Sequence, residues 1–374
     1  MKTKLFLIIG ILHFCFLSAF TVNGVNFNIT SGSSVEVAST QCYVGALVLP
    51  STVVDNGITY NVTSVGFSAF SGCATLTSVV IPNSVVTIQS NAFSDCLALT
   101  SVTLPNSLTL IQNAAFRNCS SLTSIILPNS ITVIQNATFY GCSSLSSVTI
   151  PNSITSINGS AFEGCTSLAS ISIPNSVTNI SFYGFRNCTS LTSINLPNAL
   201  TSIAEETFKG CTSLETVVIP ASVASIKSHA FYGCTSLTSV TSKRVNPLVI
   251  ISTVFFNVNQ PFCTLYVPPG SEAAYEAAAF WTNFAPILPI ATLSSDEFNV
   301  KNKFSVYPNP AKDKIYFENI NNISKINIYD ASGKLVKSET PKNNSLDISS
   351  LKIGNYFLEI KTDKKTIKSQ IIKN

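Results

Sequence analysis

Apolar positions recur along the middle of this chain with a fixed period, and the same residue types return at each repeat. The recurring segment reads A-F-x-x-C-x-S-L-T-S-V-x-I-P-N-S-V-T-x-I, and successive copies are 23 residues apart. Units with such a period cannot bury their apolar side alone and therefore stack on their neighbours. The pattern predicts a solenoid with two invariant core columns, Phe70, Phe93, Phe116, Phe139, Phe162, Phe185, Phe208 and Phe231, and Cys73, Cys96, Cys119, Cys142, Cys165, Cys188, Cys211 and Cys234.

Within one copy, the spacing L-x-x-V-x-I predicts a short strand. Leu76, Val79 and Ile81 would point inward from this strand. Pro82 would end it, because proline has no N–H for the ladder. The return path around Phe93 is expected to contain a single short helical or 3₁₀ turn.

The repeated segment, with its AF-x-x-C and IPNS motifs, resembles the BspA-like class of leucine-rich repeats over about residues 42 to 242. The resemblance implies a repeat solenoid of the leucine-rich repeat type. Its 23-residue coils would contribute parallel β-strands joined by short turns or 3₁₀ turns. We expect the repeats proper to occupy residues 70–242.

The start of the chain is typical of a secretory signal peptide. Lys2 and Lys4 precede an apolar run that is too short and wrongly flanked for a membrane span. Cleavage could follow Ala19 or Gly24, and residues 1–24 are assigned to the signal. The sequence therefore predicts an exported chain with no membrane span after signal removal.

Both ends of the repeat array are expected to be capped, as terminal repeats must be. Residues 25–69 form the predicted N-terminal cap, in which Asn56-Gly57 between alternating apolar residues predicts a β-hairpin insertion. The repeat register fails after Val240, and residues 243–290 form the predicted C-terminal cap.

The predicted C-terminal cap resembles the closing segment of BspA-like arrays. Ser271 is the expected N-cap of a helix, with Glu272 in its first turn and an Ala-rich run up to Phe280. Trp281, the only Trp of the chain, is expected to pack this helix on the last coil.

Residues 302–374 follow a predicted linker at 291–301 and contain several short alternating strands, which predict a small β-sandwich. Their motifs Y-P-N-P, I-Y-D-A-S-G-K-L-V and I-G-N-Y-F-L-E-I resemble the type A C-terminal sorting domain of the type IX secretion system. The resemblance implies an Ig-like sandwich that directs passage across the outer membrane, after which a sortase commonly removes it. The alternative is an accessory binding sandwich. The motif residues are Tyr307, Pro308, Asn309, Pro310, Gly333, Lys334, Gly354 and Tyr356.

Charge separates the two parts of the chain. Residues 25–241 carry four basic and seven acidic side chains, whereas residues 291–374 carry 14 Lys and nine acids. The positive net charge therefore belongs to the tail and the signal peptide. The Lys residues are interspersed with acids rather than clustered with aromatics, so no nucleic-acid partner is predicted.

Eight Cys share one column, while Cys42 and Cys263 lie in the predicted caps. Stacked Cα atoms about 5 Å apart would permit disulfides, but roughly parallel side chains fit the disulfide dihedral angle poorly. We therefore expect an unpaired thiol ladder with weak S–H donation to the neighbouring coil, although export leaves disulfides open as an alternative. A zinc site is disfavoured because no two Cys lie within one turn.

Histidine is too scarce for most hydrolase mechanisms. His13 lies in the signal, and His229 occupies a repeat column that also accepts Ala, Tyr and Glu, so a surface position is expected. Glu205 and Glu206 are adjacent, and their side chains should diverge, which disfavours a glycosidase pair. No nucleotide-binding or metalloprotease motif is present. The sequence predicts no enzyme, no cofactor and no metal.

Binding specificity should come from outward positions, because the inward columns are constant. One candidate surface is the outward side of the strands, a nearly uncharged sheet suited to a glycan or an extended protein edge. The other is the variable position after each Phe, where Arg and Tyr are favoured hot-spot residues. Either could instead be a solvated face that repeats because the coil was duplicated. The candidates are Thr100, Ser101, Thr103, Thr123, Ser124 and Thr149 on the strands, and Arg117, Tyr140, Arg186 and Tyr232 after the Phe.

These features lead to one preferred function and two alternatives. The preferred function is a non-enzymatic, adhesin-like binding protein with an extracellular protein or glycan ligand. It would be secreted or attached to the outer surface of a Gram-negative bacterium of the Bacteroidota type, and residues 302–374 would engage the type IX secretion machinery. A structural cell-envelope protein without a dedicated ligand is the alternative. Ice binding by Thr ladders is disfavoured because Ala169 and Glu215 interrupt the ladder.

Overall fold

The computed structural model describes residues 19–40, 42–290, 305–318, 320, 322–330, 334–341, 344–363 and 366–374 of the 374-residue chain. These residues form two compact units, divided between Ala291 and Thr292, and each unit has its own hydrophobic core. Most of the predicted signal peptide and the whole of the predicted linker lie outside the described residues.

The N-terminal end of the first unit is a β-rich cap. Its strands are β1 (Ala19–Val22), β2 (Val25–Ser31), β3 (Ser34–Val37), β4 (Gly45–Val48), β5 (Thr52–Asp55) and β6 (Ile58–Val65). β1, β2 and β3 form an antiparallel meander, and β5 and β6 form a hairpin. Asn56 and Gly57 join β5 to β6 with φ of 48° and 81°, as a type I′ turn requires. The predicted hairpin is confirmed.

The coils that follow consist of long strands, short strands and turns in alternation. The long strands are β7 (Leu76–Val80), β9 (Ser101–Thr103), β11 (Ser124–Ile126), β13 (Ser147–Thr149), β16 (Ser193–Asn195), β18 (Thr216–Ile219) and β20 (Ser239–Ser242). The short strands are β8 (Thr87–Ile88), β10 (Leu110–Ile111), β12 (Val133–Ile134), β14 (Ser156–Ile157), β15 (Asn179–Ile180), β17 (Ser202–Ile203) and β19 (Ser225–Ile226).

Paired strands run parallel in both sheets, with partners 23 residues apart along most of the array. The long-strand sheet is interrupted between β9 and β11, and again between β13 and β16. Leu76, Val79 and Ile81 are buried, as the L-x-x-V-x-I spacing predicts. The fold class predicted from the sequence is confirmed.

The Phe column forms a continuous stack of rings through the core. Successive rings from Phe70 to Phe231 are nearly parallel, with centroids 5.3 to 5.8 Å apart. Their side chains are fully buried. Each coil therefore contributes one ring that contacts both neighbouring coils.

The Cys column is an unpaired ladder except at its first member. From Cys96 to Cys234, each Sγ lies 3.1 to 3.2 Å from the backbone oxygen of the Phe 26 residues earlier, which it can reach as an S–H donor. Cys73, however, forms a disulfide with Cys42, and their Cα atoms are 4.7 Å apart. The prediction of an unpaired thiol is wrong at Cys73, because its partner comes from the irregular cap rather than from the column.

The return path contains no helical turn in the described coils; it consists of hydrogen-bonded turns. At one position of the repeat, every 23-residue coil has a residue with φ between 52° and 60°, a left-handed conformation that normally costs about 1–2 kcal/mol. Its N–H donates to a backbone oxygen of the next coil along most of the column, as Asn91 does to Asn113 at 3.1 Å. These coil-to-coil bonds hold the unusual conformation. The column comprises Ser68, Asn91, Ala114, Ala137, Ser160, Tyr183, Glu206 and His229.

The stack continues beyond Val240, where the sequence register was expected to fail. Phe255 stacks on Phe231 with ring centroids 5.2 Å apart. Two more parallel strands, β21 (Thr264–Val267) and β22 (Ile287–Pro289), extend the long-strand sheet. A strict 23-residue pattern does not detect these coils, because Phe255 comes 24 residues after Phe231 and further residues are inserted beyond it.

The C-terminal cap is built around a cluster of four buried aromatic side chains. Trp281 packs against Phe255, Tyr275 and Phe284, as expected for a residue that closes the last coil. The helix α1 (Glu272–Glu276) is shorter than the run up to Phe280 predicted, and a single 3₁₀ turn covers Gln260–Phe262. Ser271 is the N-cap residue of α1 and Glu272 lies in its first turn, as the sequence predicts, although the buried Ser271 hydroxyl makes no capping hydrogen bond.

The second unit consists of two antiparallel sheets. Its strands are β23 (Ser305–Tyr307), β24 (Lys314–Glu318), β25 (Ile323–Asp330), β26 (Leu335–Glu339), β27 (Ser345–Asp347), β28 (Gly354–Thr362) and β29 (Thr366–Lys373). One sheet has the order β23-β24-β27, and the other β26-β25-β28-β29. Inward side chains such as Ile315, Ile326 and Leu358 form one core, as in a small β-sandwich.

Candidate ligand-binding surfaces

The outward side of the long strands is here called the strand face. Thr100, Ser101, Thr103, Thr123, Ser124 and Thr149 are all exposed on it, as the sequence predicts. The Thr100 hydroxyl donates to the Thr77 oxygen of the preceding coil, so this column supports the stack. Among the described residues, the side chains of Ser101, Thr103, Ser124 and Thr149 form no hydrogen bond within the chain, which leaves these hydroxyls free for a ligand.

Six exposed Asn side chains border the strand face, at the position after the repeated Pro. They follow the strand-ending Pro in successive coils, and no charged side chain occurs among them. Together with the Ser and Thr columns, these Asn side chains form a broad, uncharged polar surface. Glu215 is the only charged residue among the described outward positions of the long strands. The Asn residues are Asn83, Asn106, Asn129, Asn152, Asn175 and Asn198.

A depression of about 370 Å³ lies in the strand face between β9 and β11, where the sheet is interrupted. Its lining combines hydroxyls and carboxamides with aliphatic side chains and contains no charged or aromatic residue. Nothing in the repeat pattern indicated this site, because the coils on either side have the same consensus residues. The lining residues are Ser101, Val102, Thr103, Leu104, Asn106, Ser124, Ile125, Ile126, Leu127, Pro128 and Asn129.

The variable positions after each Phe form a side-chain ladder in which neighbouring coils contact one another. The Arg117 guanidinium lies 5.3 Å from the centre of the Tyr140 ring, and the Lys209 ammonium lies 5.2 Å from that of Tyr232. Tyr232 in turn stacks on Phe256 with centroids 5.4 Å apart. Each cation therefore covers part of a ring face that a ligand would otherwise contact, and each ring covers part of a cation.

Acidic side chains extend the ladder around Arg186. Its guanidinium lies 3.7 Å from the Glu163 carboxylate and 3.4 Å from that of Glu206, which also accepts Lys209 at 3.0 Å. Such partly exposed ion pairs contribute little each, about 0–1 kcal/mol. The sequence-predicted candidates thus form two groups rather than four separate sites: Arg117 pairs with Tyr140, and Arg186 and Tyr232 belong to one network through Glu206 and Lys209.

Glu205, Glu206 and His229 come closer together than the sequence suggests. One side-chain ligand atom from each lies within 4.8 Å of the others. The expectation that the two Glu side chains diverge is wrong, because Glu206 has a left-handed backbone conformation with φ of 52°. Lys209 and Arg186 already neutralise the Glu206 carboxylate, and Ser228 donates to Glu205. The arrangement is that of an ion-pair network.

His229 is partly buried rather than fully exposed, and its Nδ1 is buried without a hydrogen-bond partner. Its ring packs against Tyr232, with centroids 5.4 Å apart. In the part of the chain that the structure describes, no Ser or Cys side chain forms a hydrogen bond with the His229 imidazole. A nucleophile–base pair of the kind a hydrolase needs is therefore not formed by these described side chains.

The core thiols are buried and chemically unreactive. Burial raises the pKa of Cys142 and Cys211 to about 12, and a backbone hydrogen bond only partly offsets it. Because the thiolate is the reactive form, these side chains behave as small apolar core residues.

The motif residues of the second unit make specific contacts within it. The Asn309 carboxamide donates to the Gln370 oxygen at 3.1 Å and accepts from the Ile372 N–H at 2.8 Å, which ties the Y-P-N-P segment to β29. The Tyr356 hydroxyl donates to the Lys352 oxygen at 2.9 Å. Lys334 N–H donates to the Asp330 carboxylate at 3.1 Å. Gly333 lies outside the described residues.

Comparisons with known proteins agree with this architecture. The BspA type leucine rich repeat region matches residues 52–169 and 132–262, in six copies, and the secretion system C-terminal sorting domain matches residues 305–374. No curated protein matches the chain. Among the described residues, no helix has the length and apolar character needed to span a membrane.

Solved structures similar to this chain are bacterial leucine-rich repeat proteins. A leucine-rich repeat protein from Bacteroides ovatus is 27% identical, with a TM-score of 0.54, over 66% of this chain and 70% of the other. The T. pallidum leucine rich repeat protein is 28% identical, with a TM-score of 0.42, over 59% of this chain and 91% of the other. This chain belongs to the family of BspA-type leucine-rich repeat proteins, and it carries the type IX sorting tail of a secreted or surface-attached protein.

Proposed function

We propose that this protein is an adhesin-like binding protein that presents the strand face to an extracellular protein or glycan. The observation that carries the proposal is the contrast between its two candidate surfaces. The strand face exposes hydroxyls that have no partner within the described chain, whereas the side chains of the ladder contact one another. Unpartnered polar groups on a rigid scaffold can bond a ligand without first breaking an internal contact.

The proposed role is non-enzymatic. His229 faces acidic and aromatic side chains rather than a nucleophile, and the core thiols are held in their unreactive form. A repeat array that its sorting tail exports can bind a ligand through its surface and needs no catalytic site to do so. These observations support binding over catalysis.

The proposal is tested with a glycan array and an extracellular-matrix protein array, probed with the mature chain. Thr103→Lys combined with Thr149→Lys places two cations on the strand face, and Thr132→Lys is the matched control at an exposed position off the long strands. Saturable binding that the double variant loses and the control keeps is the expected result. Binding that both variants keep would contradict the assignment of the strand face.

The alternative function is a structural cell-envelope protein with no dedicated ligand. The ion pairs of Arg186 and the stacked rings of Tyr232 and Phe256 favour this alternative, since they link coil to coil. No saturable binding on either array would favour this alternative and contradict the adhesin-like role.

A further inference from the structure

We propose that the depression between β9 and β11 binds an extended, uncharged peptide segment of a partner protein, with an aliphatic side chain seated over Val102 and Leu104. This inference rests on the proposed function, because it takes the strand face as the binding side. It goes further in naming one site on that face and one class of ligand.

The first support is unused backbone hydrogen-bonding capacity at the depression. β9 and β11 come from successive coils but belong to separate sheets. Within this described stretch, no backbone hydrogen bond joins the Leu104 N–H to the Ile126 oxygen. The equivalent bonds one coil to either side are present, from Ile81 N–H to the Thr103 oxygen at 3.1 Å and from Leu127 N–H to the Thr149 oxygen at 3.2 Å.

The second support is the exposure of core residues at the same place. Val102 and Leu104 point inward by their repeat position, yet both are partly exposed. Their equivalents in the flanking coils are almost completely buried, as at Val79 (1% exposed) and Ile125 (2%). Ile126, on the outward side, is 71% exposed. The separated strands therefore uncover an apolar floor that is covered in the coils on either side.

The third support is the character of the rim. Ser101, Thr103, Asn106, Ser124 and Asn129 surround the apolar floor with uncharged polar groups. A charged ligand group would be desolvated here without an opposite charge to compensate it. No aromatic face lines the depression on which a sugar ring could stack. The lining therefore favours an uncharged segment with aliphatic side chains.

Extended peptides combine the two kinds of contact that this site offers. Recognition of an extended strand uses main-chain hydrogen bonds for affinity and pockets for alternate side chains for specificity. The Leu104 N–H and the Ile126 oxygen are the main-chain groups left over, and Val102 with Leu104 forms the side-chain pocket. A segment lying across the interruption would satisfy both.

The test uses the mature full chain with methyl-labelled Ile, Leu and Val, observed by NMR. The probes are capped pentapeptides Ac-Ala-Ala-X-Ala-Ala-NH₂ with X as Leu, Ile, Ala, Lys or Glu, together with N-acetylglucosamine and glucose. We expect the Leu and Ile peptides to shift the methyl signals of Val102, Leu104 and Ile126 saturably. The Lys and Glu peptides should bind with an affinity at least about tenfold lower, as measured from the concentration dependence of these shifts.

Ser124→Arg places a bulky charge at the rim, and Thr216→Arg is the matched control at the same repeat position in β18, which is paired on both sides. Loss of the shifts in the first variant only is the expected result. Peptide shifts that appear elsewhere, or no shifts at all, overturn the proposal. Shifts caused by the sugars alone overturn it in favour of a glycan site.

The array experiment separates this inference from the function on which it rests. Binding on the arrays that is lost with the Thr103 and Thr149 changes but is unaffected by Ser124→Arg would leave the strand face as the binding side. The peptide site in the depression would then be wrong. The absence of both array binding and peptide shifts in the unchanged protein would instead contradict the adhesin-like role itself.

Discussion

A single Phe in the middle of the array contacts an identical ring on each side. Phe162 lies 5.5 Å from Phe139 and 5.3 Å from Phe185, measured between ring centroids, and it is fully buried. Its removal would leave a cavity that two neighbouring coils share and that the rigid stack cannot close. The column is therefore sensitive to the loss of any one ring.

We predict that Phe162→Ala lowers the free energy of unfolding by about 3–5 kcal/mol, because both the buried ring and its stacking contacts are lost. Urea unfolding followed by circular dichroism measures the change. Phe67→Ala is the control, since this side chain is 63% exposed and should cost less than about 1 kcal/mol. Equal effects of the two changes would show that the stack does not carry the stability assigned to it.

The thiol ladder predicts that stability falls at alkaline pH. An unfolded Cys ionises near 9.0, whereas burial raises the pKa of folded Cys142 and Cys211 to about 12. Between these values the unfolded state has released its protons and the folded state has not, so rising pH favours unfolding. Each such thiol should remove about 1.4 kcal/mol of stability per pH unit in this window.

Urea midpoints measured at pH 8 and at pH 10.5 test this pH dependence. Cys211→Ala should make the decrease with pH shallower, even though the substitution also leaves a small cavity at every pH. A slope unchanged by the substitution would mean that the buried thiol is not a source of the alkaline instability.

At the scale of elements, the N-terminal cap depends on its first strand. β1 pairs with β2, and Phe20 lies with its ring centroid 5.8 Å from Phe27 and 5.7 Å from Tyr60. Cleavage after Gly24 would remove this strand, whereas cleavage after Ala19 would keep it. The structure thus favours one of the two cleavage positions that the sequence left open.

We predict that a chain beginning at Phe20 is more stable than one beginning at Val25, and that the exported protein begins at Phe20. Thermal unfolding of the two chains and the intact mass of the secreted protein measure these outcomes. An exported N-terminus at Val25, with no loss in melting temperature, would show that β1 is dispensable.

The repeat period was sufficient to predict the elements of the array, because each consensus position has one role in every coil. The burial of Leu76, Val79 and Ile81 could be predicted from their spacing alone. The Phe column and the Asn56-Gly57 hairpin could likewise be predicted from the sequence. The Cys42–Cys73 disulfide could not be predicted, since the fold of the irregular cap decides which Cys meets the first column member.

Two features of the candidate sites depend on backbone geometry that side-chain patterns do not reveal. The left-handed column accepts Asn, Ala, Ser, Tyr, Glu and His, so its composition gives no signal, yet it brings Glu205 and Glu206 together. The interruption between β9 and β11 arises between coils of near-identical sequence. A residue pattern therefore located the strand face but not the depression within it.

At the scale of the whole molecule, the two units have separate cores, so the array should fold without the sorting domain. We predict that removal of residues 305–374 leaves the melting temperature of the array unchanged but retains the protein in the periplasm, because the matched sorting domain is absent. Cell fractionation and surface protease accessibility measure this outcome. Surface display of the shortened chain would contradict the sorting role.

The coil-to-coil backbone hydrogen bonds give the array a mechanical property. These bonds run along the solenoid axis, so a pull between its two ends loads one layer of bonds at a time instead of shearing many together. Each 23-residue coil that peels away would release roughly 70 Å of chain. A tethered array would thus lengthen in equal steps under tension, and optical tweezers should record evenly spaced extensions. Coil number would then determine how far the protein stretches before its hold on a surface fails.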